Sequence, residues 1–181
     1  PLKVDKSAIE VQNETERNIM EHHVFYHDSL CPEARDILER MLAADKNDRP
    51  TIEEVKSHPI FWERKKMVRF LQAVGNQREI QKPRHLVKTH SPVEVQLENT
   101  LEKEIAAMGW QDSILHVYAD MTSSGGRRYN TMSAVDLVRF VRNAYAHVSE
   151  YNRSAYVQQL LLEEYIFFKK FPSLLIETYN A

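Results

Sequence analysis

The sequence predicts an all-α fold, and three observations support this class. Only 4 glycines and 7 prolines occur in 181 residues, and few runs of β-branched residues are bounded by turn residues. Apolar residues recur at spacings of three and four, the period of an α-helix, through most of the chain. Residues that favour helix N-termini precede several of these runs. The composition, 43% hydrophobic and 28% charged, is close to the average for globular proteins.

The first helices follow a polar N-terminal stretch. We predict that the first twenty residues form a loop leading into a short helix. The apolar stripe between Cys31 and Leu42 predicts a well-defined helix. After a polar break, Thr51 is placed to cap the next helix, and Glu54 three residues later completes a capping box. This helix should run to about His58.

Later elements follow from the same periodicity. A helix is predicted to continue from Phe61 through Val74, with Gly75 and Asn76 ending it as a C-cap. Residues 81–93 contain two prolines and predict an exposed connector. Further helices are predicted over about 95–108, 111–121, 133–149 and 153–170, before a short apolar end at 174–176.

The helix predicted from Ser133 carries a polar stripe. Ser133 is a natural N-cap, and a carboxylate at Asp136 can bond back to it. At about 100° per residue, one broad face is apolar and the opposite face is polar. The apolar face consists of Leu137, Val138, Phe140, Val141, Ala144, Tyr145 and Val148, and the polar stripe of Asp136, Arg139, Asn143 and His147, with Arg142 at its edge.

These residue types suit metal-free cleavage of RNA. Such cleavage needs a base for the 2′-hydroxyl, an acid for the leaving oxygen and donors for the charge of the transition state. Histidine can move a proton near neutral pH, arginine can bind phosphate with two parallel bonds, and asparagine can position a reacting group. Tyr129, just before the helix, adds a hydroxyl. The pattern alone is equally typical of an ordinary solvated helix face.

Two resemblances change this balance. The segment MLAADKNDRPTIEEVKSHPIFW resembles the closing helices of a protein-kinase domain, but no glycine-rich loop, H-R-D or D-F-G motif occurs. We therefore predict a kinase-lobe remnant over residues 1–62 and a second domain over 63–181. The second domain resembles the kinase-extension nuclease domain shared by the inositol-requiring kinase/endoribonuclease of the unfolded-protein response and by ribonuclease L. The resemblance rests, in order, on RFLQAVGNQREI, Trp110, Tyr129, DLVRFVRNAYAH and FFKKFPSLLIETY.

The nuclease resemblance implies roles for individual residues. It implies that His147 is a general acid, that Tyr129 and Asn143 hold or activate the reacting groups, and that Arg142 binds the scissile phosphate. The expected products are a 2′,3′-cyclic phosphate and a 5′-hydroxyl, with no metal or other cofactor in the nuclease step. Further expected residues are Arg127, Arg128 and Arg139 for RNA binding, and Asp136 and Trp110 for structural or dimer support.

The expected partners are an RNA substrate with single-stranded or loop structure, a second copy of the chain, and an upstream kinase lobe that binds ATP or ADP. Because the chain begins at Pro1, we expect it to be part of a longer protein. This segment should lie in or face the cytosol and make no direct membrane contact, with any membrane anchor elsewhere in that protein. The net charge of −2 predicts that any RNA site is local.

Two alternatives stay open. The domain could be a non-catalytic dimerisation module, a pseudo-nuclease attached to a kinase or pseudokinase, or the chain could be a kinase fragment that binds proteins. Ala144-Tyr145-Ala146 departs from one family branch, which has basic residues and an extra histidine there. The tyrosine-to-aspartate spacing favours the unfolded-protein-response branch, whereas VGNQREI favours ribonuclease L, so the sequence does not separate the two.

Overall fold

The computed structural model describes residues 8–21, 24–81, 90–105, 108–123, 128–150 and 153–181. Within these ranges the chain forms helices and connecting segments without any strand, so the predicted all-α class is confirmed. The α-helices are α1 (Ala8–Met20), α2 (Pro32–Met41), α3 (Ile52–Ser57), α4 (Arg64–Gly75), α5 (Arg78–Gln81), α6 (Pro92–Thr100), α7 (Leu115–Thr122), α8 (Ala134–Ala146), α9 (Ala155–Leu162), α10 (Ile166–Lys170) and α11 (Leu174–Asn180).

The N-terminal part agrees with the sequence at α2 and α3 but not at α1. Most of the predicted loop over the first twenty residues is helix α1. The predicted capping box at α3 is confirmed. The Thr51 hydroxyl accepts the Glu54 N–H at 3.3 Å, and the Glu54 carboxylate accepts the Thr51 N–H at 2.7 Å. The Thr51 N–H and the Thr51 hydroxyl both donate to the Glu54 carboxylate, and these two bonds hold the pKa of that carboxyl below its usual value.

Helix α8 lies at the centre of the fold. It packs against α4, α5 and α6, and every residue from 134 to 141 is buried. Trp110 and Phe140 are fully buried beside each other, with ring centroids 5.0 Å apart. Because each large apolar side chain contributes about 1.5–3 kcal/mol when buried, this core fixes the position of α8 firmly. Only in the C-terminal half of α8 do some side chains reach the protein surface.

A glycine allows α4 and α8 to approach closely. Gly75 is buried, and a Cβ atom at this position would lie 2.9 Å from Cγ of Arg142 and 3.3 Å from the carbonyl oxygen of Val138. The predicted end of α4 at Gly75 and Asn76 is confirmed, because Gly75 is the last helical residue and Asn76 is the C-cap. The absence of a side chain at Gly75 sets the distance between the two helices.

The C-terminal helix α11 packs against α2 of the kinase-like segment and against α4 of the second predicted domain. Tyr179 of α11 makes edge-to-face contacts with His58 and Trp62, each with ring centroids 5.7 Å apart. His58 is 1% exposed, and its Nε2 lies 3.0 Å from the Asp36 carboxylate. The two predicted domains therefore share a junction of aromatic and hydrogen-bonded contacts, and the boundary at residue 62 stays a prediction.

The predicted helix over residues 153–170 is interrupted. It divides into α9 and α10, and between them Tyr165 adopts a left-handed backbone conformation with φ of 50°. This turn lets Phe167 enter the core, where its ring contacts Phe140 and Tyr145. A period of 3.6 residues runs through both helices, so the sequence pattern does not reveal the break.

The predicted end segment at 174–176 is longer than expected, because it belongs to helix α11. The predicted connector over 81–93 lies mostly outside the described residues. Among the helices that the structure describes, none combines the length and the apolar character needed to cross a membrane.

Candidate active site

A chain of hydrogen bonds joins four side chains where α8 emerges from the core. The side-chain amide nitrogen of Asn143 donates to the Tyr129 hydroxyl at 2.7 Å, and the side-chain oxygen Oδ1 of Asn143 accepts from Arg142 Nη1 at 2.8 Å. Arg142 Nε donates to the side-chain oxygen of Asn76 at 2.6 Å. Three of the four predicted catalytic residues thus form one polar cluster, with Asn76 from the end of α4 as an additional member. We call these four residues the tyrosine–arginine cluster.

The core holds the Tyr129 ring in place. The ring is partly buried and makes edge-to-face contacts with Phe140 and Trp110, with centroids 5.1 and 6.2 Å away. The next residue, Asn130, donates its backbone N–H to the Asp136 carboxylate at 2.6 Å. The aromatic core and Asp136 therefore position Tyr129, and its hydroxyl is directed at Asn143.

The start of α8 is capped from another helix. The Ser133 hydroxyl accepts the Asp136 N–H at 3.1 Å, as the sequence predicts. The Asp136 carboxylate, however, binds Asn130 instead of returning to Ser133. Glu98 of α6 accepts the Ser133 hydroxyl at 2.6 Å and the Ala134 N–H at 2.8 Å. A carboxylate near the N-terminus of a helix also interacts favourably with the helix dipole. Glu98 therefore anchors the start of α8, the helix that bears the site.

The predicted polar stripe on α8 is wrong in its first half. Asp136 and Arg139 are 3% and 5% exposed and form an ion pair of 2.6 Å. A periodic pattern cannot reveal that other elements cover both faces of this part of the helix. Arg139 therefore offers little surface to a ligand, and its role in RNA binding stays a prediction. Its guanidinium supports Asp136, and a structural role for Asp136 agrees with its contacts.

His147 lies one turn after Asn143, where α8 ends. It is the C-cap residue, and its backbone N–H bonds the Asn143 carbonyl at 3.0 Å. The imidazole Nδ1 lies 2.6 Å from a carboxylate oxygen of Glu150, and both side chains are 46% exposed. The histidine and the tyrosine–arginine cluster thus occupy successive turns of one helix end.

The remaining predicted residues have varied positions. Arg128 is exposed next to Tyr129, whereas Arg127 lies outside the described residues. Trp110 is 0% exposed, and its indole N–H donates to the Ser133 carbonyl at 3.1 Å, so it packs in the core and supports the start of α8. Tyr145 is buried, and this burial raises the pKa of its hydroxyl, which keeps the group neutral.

No group of three His, Cys, Asp or Glu side chains could hold a metal ion within the ranges that the structure describes. The predicted donors of the site are instead a guanidinium, amides, a hydroxyl and an imidazole. These groups bind anionic oxygen atoms and move protons.

Comparison with known proteins identifies the family. Residues 67–181 match the family model described as Ribonuclease 2-5A. The chain belongs to this family. The match includes α8 and every residue of the tyrosine–arginine cluster, and it begins close to the predicted domain boundary.

Several similar proteins combine a kinase with an endoribonuclease in their names. The chain is 30% identical over 178 residues to the serine/threonine-protein kinase/endoribonuclease IRE1a of Arabidopsis thaliana, covering 94% of this chain and 19% of the relative. It is 30% identical over 152 residues to the sensor for unfolded proteins in the ER ire1 of Schizosaccharomyces pombe, covering 81% of this chain and 13% of the relative. A stretch of 42 residues, 23% of this chain and 11% of the relative, is 43% identical to an Aurora kinase of Dictyostelium discoideum. The chain therefore spans less than a fifth of the length of these relatives.

Three residues of the site were not predicted from the sequence. Glu98 and Asn76 lie 35 and 66 positions from the residues that they contact, so no local spacing connects them. Glu150 follows His147 by three positions, a spacing that places side chains near each other at a helix end. That local pattern could have identified Glu150.

The network beyond Glu150 predicts an effect of acid on stability. Arg153, 6% exposed, donates to the Asp120 carboxylate at 3.1 Å and to its backbone oxygen at 2.7 Å. Burial raises the pKa of Asp120, but the bonds from Ser154 and Arg153 outweigh this effect and leave the pKa below its usual value. A lowered pKa stabilises the fold above the unfolded-state pKa of about 4, and that stabilisation is lost as the pH falls through the folded-state pKa.

We therefore expect Asp120→Asn to lower the free energy of unfolding by about 2 kcal/mol at neutral pH, because the buried guanidinium loses a charged acceptor. The difference from the wild type should shrink below about pH 4, where the wild-type carboxyl also becomes protonated. Urea unfolding between neutral and acid pH measures this difference. Glu53→Gln, which removes an exposed pair with Lys56, is the control and should change little. A difference that stays constant down to acid pH would contradict the role of the Asp120 charge.

Proposed function

We propose that this chain carries an endoribonuclease that cleaves RNA by attack of a 2′-hydroxyl on the adjacent phosphorus. The observation that supports this most strongly is the tyrosine–arginine cluster, with His147 one turn further along α8. Membership of the ribonuclease family and the nuclease names of the relatives support the same reaction class. The proposed products are a 2′,3′-cyclic phosphate and a 5′-hydroxyl.

Arg142 is the proposed phosphate-binding group. Its Nε and one Nη1 hydrogen are used by Asn76 and Asn143, which hold the guanidinium plane in a fixed orientation. The other N–H groups have no partner within the described part of the chain and can donate to two phosphate oxygens at once. A fixed guanidinium loses less entropy on binding, and it stabilises the charge that develops on the phosphorus-bound oxygens.

Proton transfer is assigned to the groups on either side of this arginine. The 2′-oxygen forms a bond to phosphorus while its proton passes to solvent water, and the bond from phosphorus to the 5′-oxygen breaks while that oxygen gains a proton from His147. Tyr129, which accepts a bond from Asn143 and so keeps its own O–H hydrogen for another partner, is proposed to hold or activate the 2′-hydroxyl. His147, exposed at the helix end, is proposed to protonate the 5′-oxygen. No metal takes part in the proposed chemical step.

We further propose that the substrate is a single-stranded or loop segment of RNA and that the active species is a dimer. A flexible loop lets the 2′-oxygen, the phosphorus and the leaving oxygen align, which a regular helix prevents. The chain has a net charge of −2, and among the described residues Arg128 is an exposed cation beside Tyr129, so we infer that one copy offers only a small basic surface. In the parent protein, the proposed partners are an upstream kinase lobe and its nucleotide, on the cytosolic side of any membrane.

The proposal is tested by cleavage of an end-labelled RNA stem-loop in EDTA over a wide range of protein concentrations. We expect cleavage within the loop, a rate that rises faster than linearly with protein, and 2′,3′-cyclic phosphate ends. Sedimentation measured at the same concentrations should detect the dimer. A rate linear in protein throughout would contradict activation by dimerisation. Dimers without any cleavage would favour the non-catalytic dimerisation module instead.

A further inference from the structure

Glu150 contacts the proposed acid directly. One carboxylate oxygen lies 2.6 Å from Nδ1 of His147, and the Glu150 backbone N–H bonds the His147 carbonyl at 3.2 Å. The chain turns back at the end of α8, and this turn brings the two side chains together. A carboxylate accepts but cannot donate, so the His147 nitrogen in this contact must carry a hydrogen. The other ring nitrogen, Nε2, is then the one available to a substrate.

The carboxylate itself is held by a buried cation. Its second oxygen lies 3.5 Å from Nη2 of Arg153, whose side chain is only 6% exposed. Arg153 in turn donates to the backbone and side-chain oxygens of Asp120 on α7, and Asp120 also accepts the Ser154 N–H at 3.1 Å. Glu150 is therefore tied to the folded core through Arg153. An unattached surface carboxylate would sample many positions and could not orient an imidazole.

Resting on the proposed nuclease function, we infer that Glu150 is a positioning residue that orients the His147 ring for proton transfer. With Nδ1–H bonded to Glu150, Nε2 holds the proton that the leaving 5′-oxygen receives. After that transfer the ring is neutral and stays protonated at Nδ1, so the bond to Glu150 is kept through the reaction. A carboxylate on the far side of a catalytic histidine sets the ring tautomer and direction in the same way in unrelated enzymes.

Neither protein stability nor RNA binding accounts for the pair of Glu150 and His147. A pair that is about half exposed contributes little to stability. A carboxylate beside the substrate repels the phosphates, so it does not promote RNA binding. Removing Glu150 should therefore leave RNA binding unchanged or stronger. A loss of turnover on removal of this negative charge would separate positioning from a role in stability or in binding.

The test compares Glu150→Ala and Glu150→Asp with the wild-type chain and with Glu164→Ala. The control removes a carboxylate of similar exposure that pairs with Lys169 at 3.3 Å, away from His147. We expect Glu150→Ala to lower kcat for the RNA stem-loop by about 10- to 100-fold, part of the usual contribution of an acid–base group, without raising KM. Glu150→Asp should recover part of the loss, and the control should match the wild type.

A second measurement does not depend on cleavage. Nitrogen-15 spectra that correlate ring nitrogens with ring hydrogens identify which nitrogen of neutral His147 is protonated. We expect Nδ1–H in the wild type and a shift to Nε2–H in Glu150→Ala. An unchanged tautomer, or a higher KM with unchanged kcat, would overturn the inference. A wild-type chain that cleaves no RNA would count against the proposed function alone, while the ring spectra would still decide the role of Glu150.

Discussion

His147→Ala is expected to lower the turnover of RNA by about 10²- to 10⁴-fold, the usual contribution of a positioned acid or base. The leaving 5′-oxygen would have to take its proton from water, which is not held in position. The fold should persist, because the side chain is 46% exposed and the backbone bond from residue 147 to the Asn143 carbonyl does not need the imidazole. Single-turnover cleavage of a labelled stem-loop measures the effect, and circular dichroism monitors helicity.

The matched control is His116→Ala. His116 is an exposed histidine on α7 within the residues that match the ribonuclease family, and its ring contacts Tyr156 instead of the site. It should retain wild-type cleavage. If both variants cleaved equally well, or if His147→Ala lost helicity together with activity, the assignment of His147 as the acid would be wrong. Free imidazole should restore part of the activity of His147→Ala, because the exposed position leaves room for it.

The elements of this fold that local sequence determines were predicted well. The capping box of Thr51 and Glu54 depends on residues three positions apart, and helix α8 has both a serine cap and a continuous apolar pattern. In each case the interactions that define the element lie within a few residues of one another. Such elements can be predicted because hydrogen bonds close in sequence need no knowledge of the tertiary fold.

Burial and long-range contacts could not be predicted in the same way. The sequence places Asp136 and Arg139 on a polar stripe, yet both are buried because other elements cover the first half of α8. Tyr165 interrupts a continuous apolar pattern by a left-handed turn, which tyrosine rarely adopts and which only packing of the surrounding chain can enforce. These features depend on which surfaces meet, and periodicity within one helix does not specify its neighbours.

The candidate site contains some features that local sequence determines and others that depend on tertiary contacts. The order of Tyr129, Arg142, Asn143 and His147 was recognised from family motifs, and the structure brings the first three into one hydrogen-bonded cluster. The partner that orients Arg142 from the other helix, Asn76, was interpreted only as a helix end. Sequence reasoning therefore suggested the groups that could act on RNA, but not the groups that hold them.

The closest approach of α4 to α8 gives the second large prediction. A Cβ atom at Gly75 would overlap the first side-chain atoms of Arg142, which cannot move without shifting the α8 backbone. Helix propensity predicts that Gly75→Ala stabilises the protein, because alanine is favoured over glycine by about 1 kcal/mol within a helix. Overpacking a close contact costs about 1–3 kcal/mol. Since the overlap involves Arg142 atoms next to the α8 backbone, we expect the overpacking to dominate and Gly75→Ala to be destabilising.

The same substitution should impair cleavage more than its effect on stability suggests. Separating α4 from α8 moves Asn76 away from Arg142 and releases the guanidinium from its 2.6 Å bond. A displacement of about 1 Å at a positioned group can lower the rate of an enzyme about 100-fold. We therefore expect a loss of this order in kcat/KM for the RNA stem-loop, under conditions where the variant remains folded. Urea unfolding and steady-state cleavage give the two quantities.

A double-mutant cycle distinguishes overlap from a general effect of glycine replacement. Arg142→Gly removes the side-chain atoms that the new methyl group would meet, so Gly75→Ala should destabilise the Arg142→Gly background less than the wild type. Ala73→Gly, at an exposed position of α4, reports the ordinary cost of exchanging alanine and glycine in this helix. Equal destabilisation by Gly75→Ala in both backgrounds would mean that the new methyl group does not overlap the Arg142 side chain. If Gly75→Ala were more stable than the wild type and cleaved RNA at the wild-type rate, the distance between α4 and α8 would adjust freely. Asn76 would then not be needed to orient Arg142.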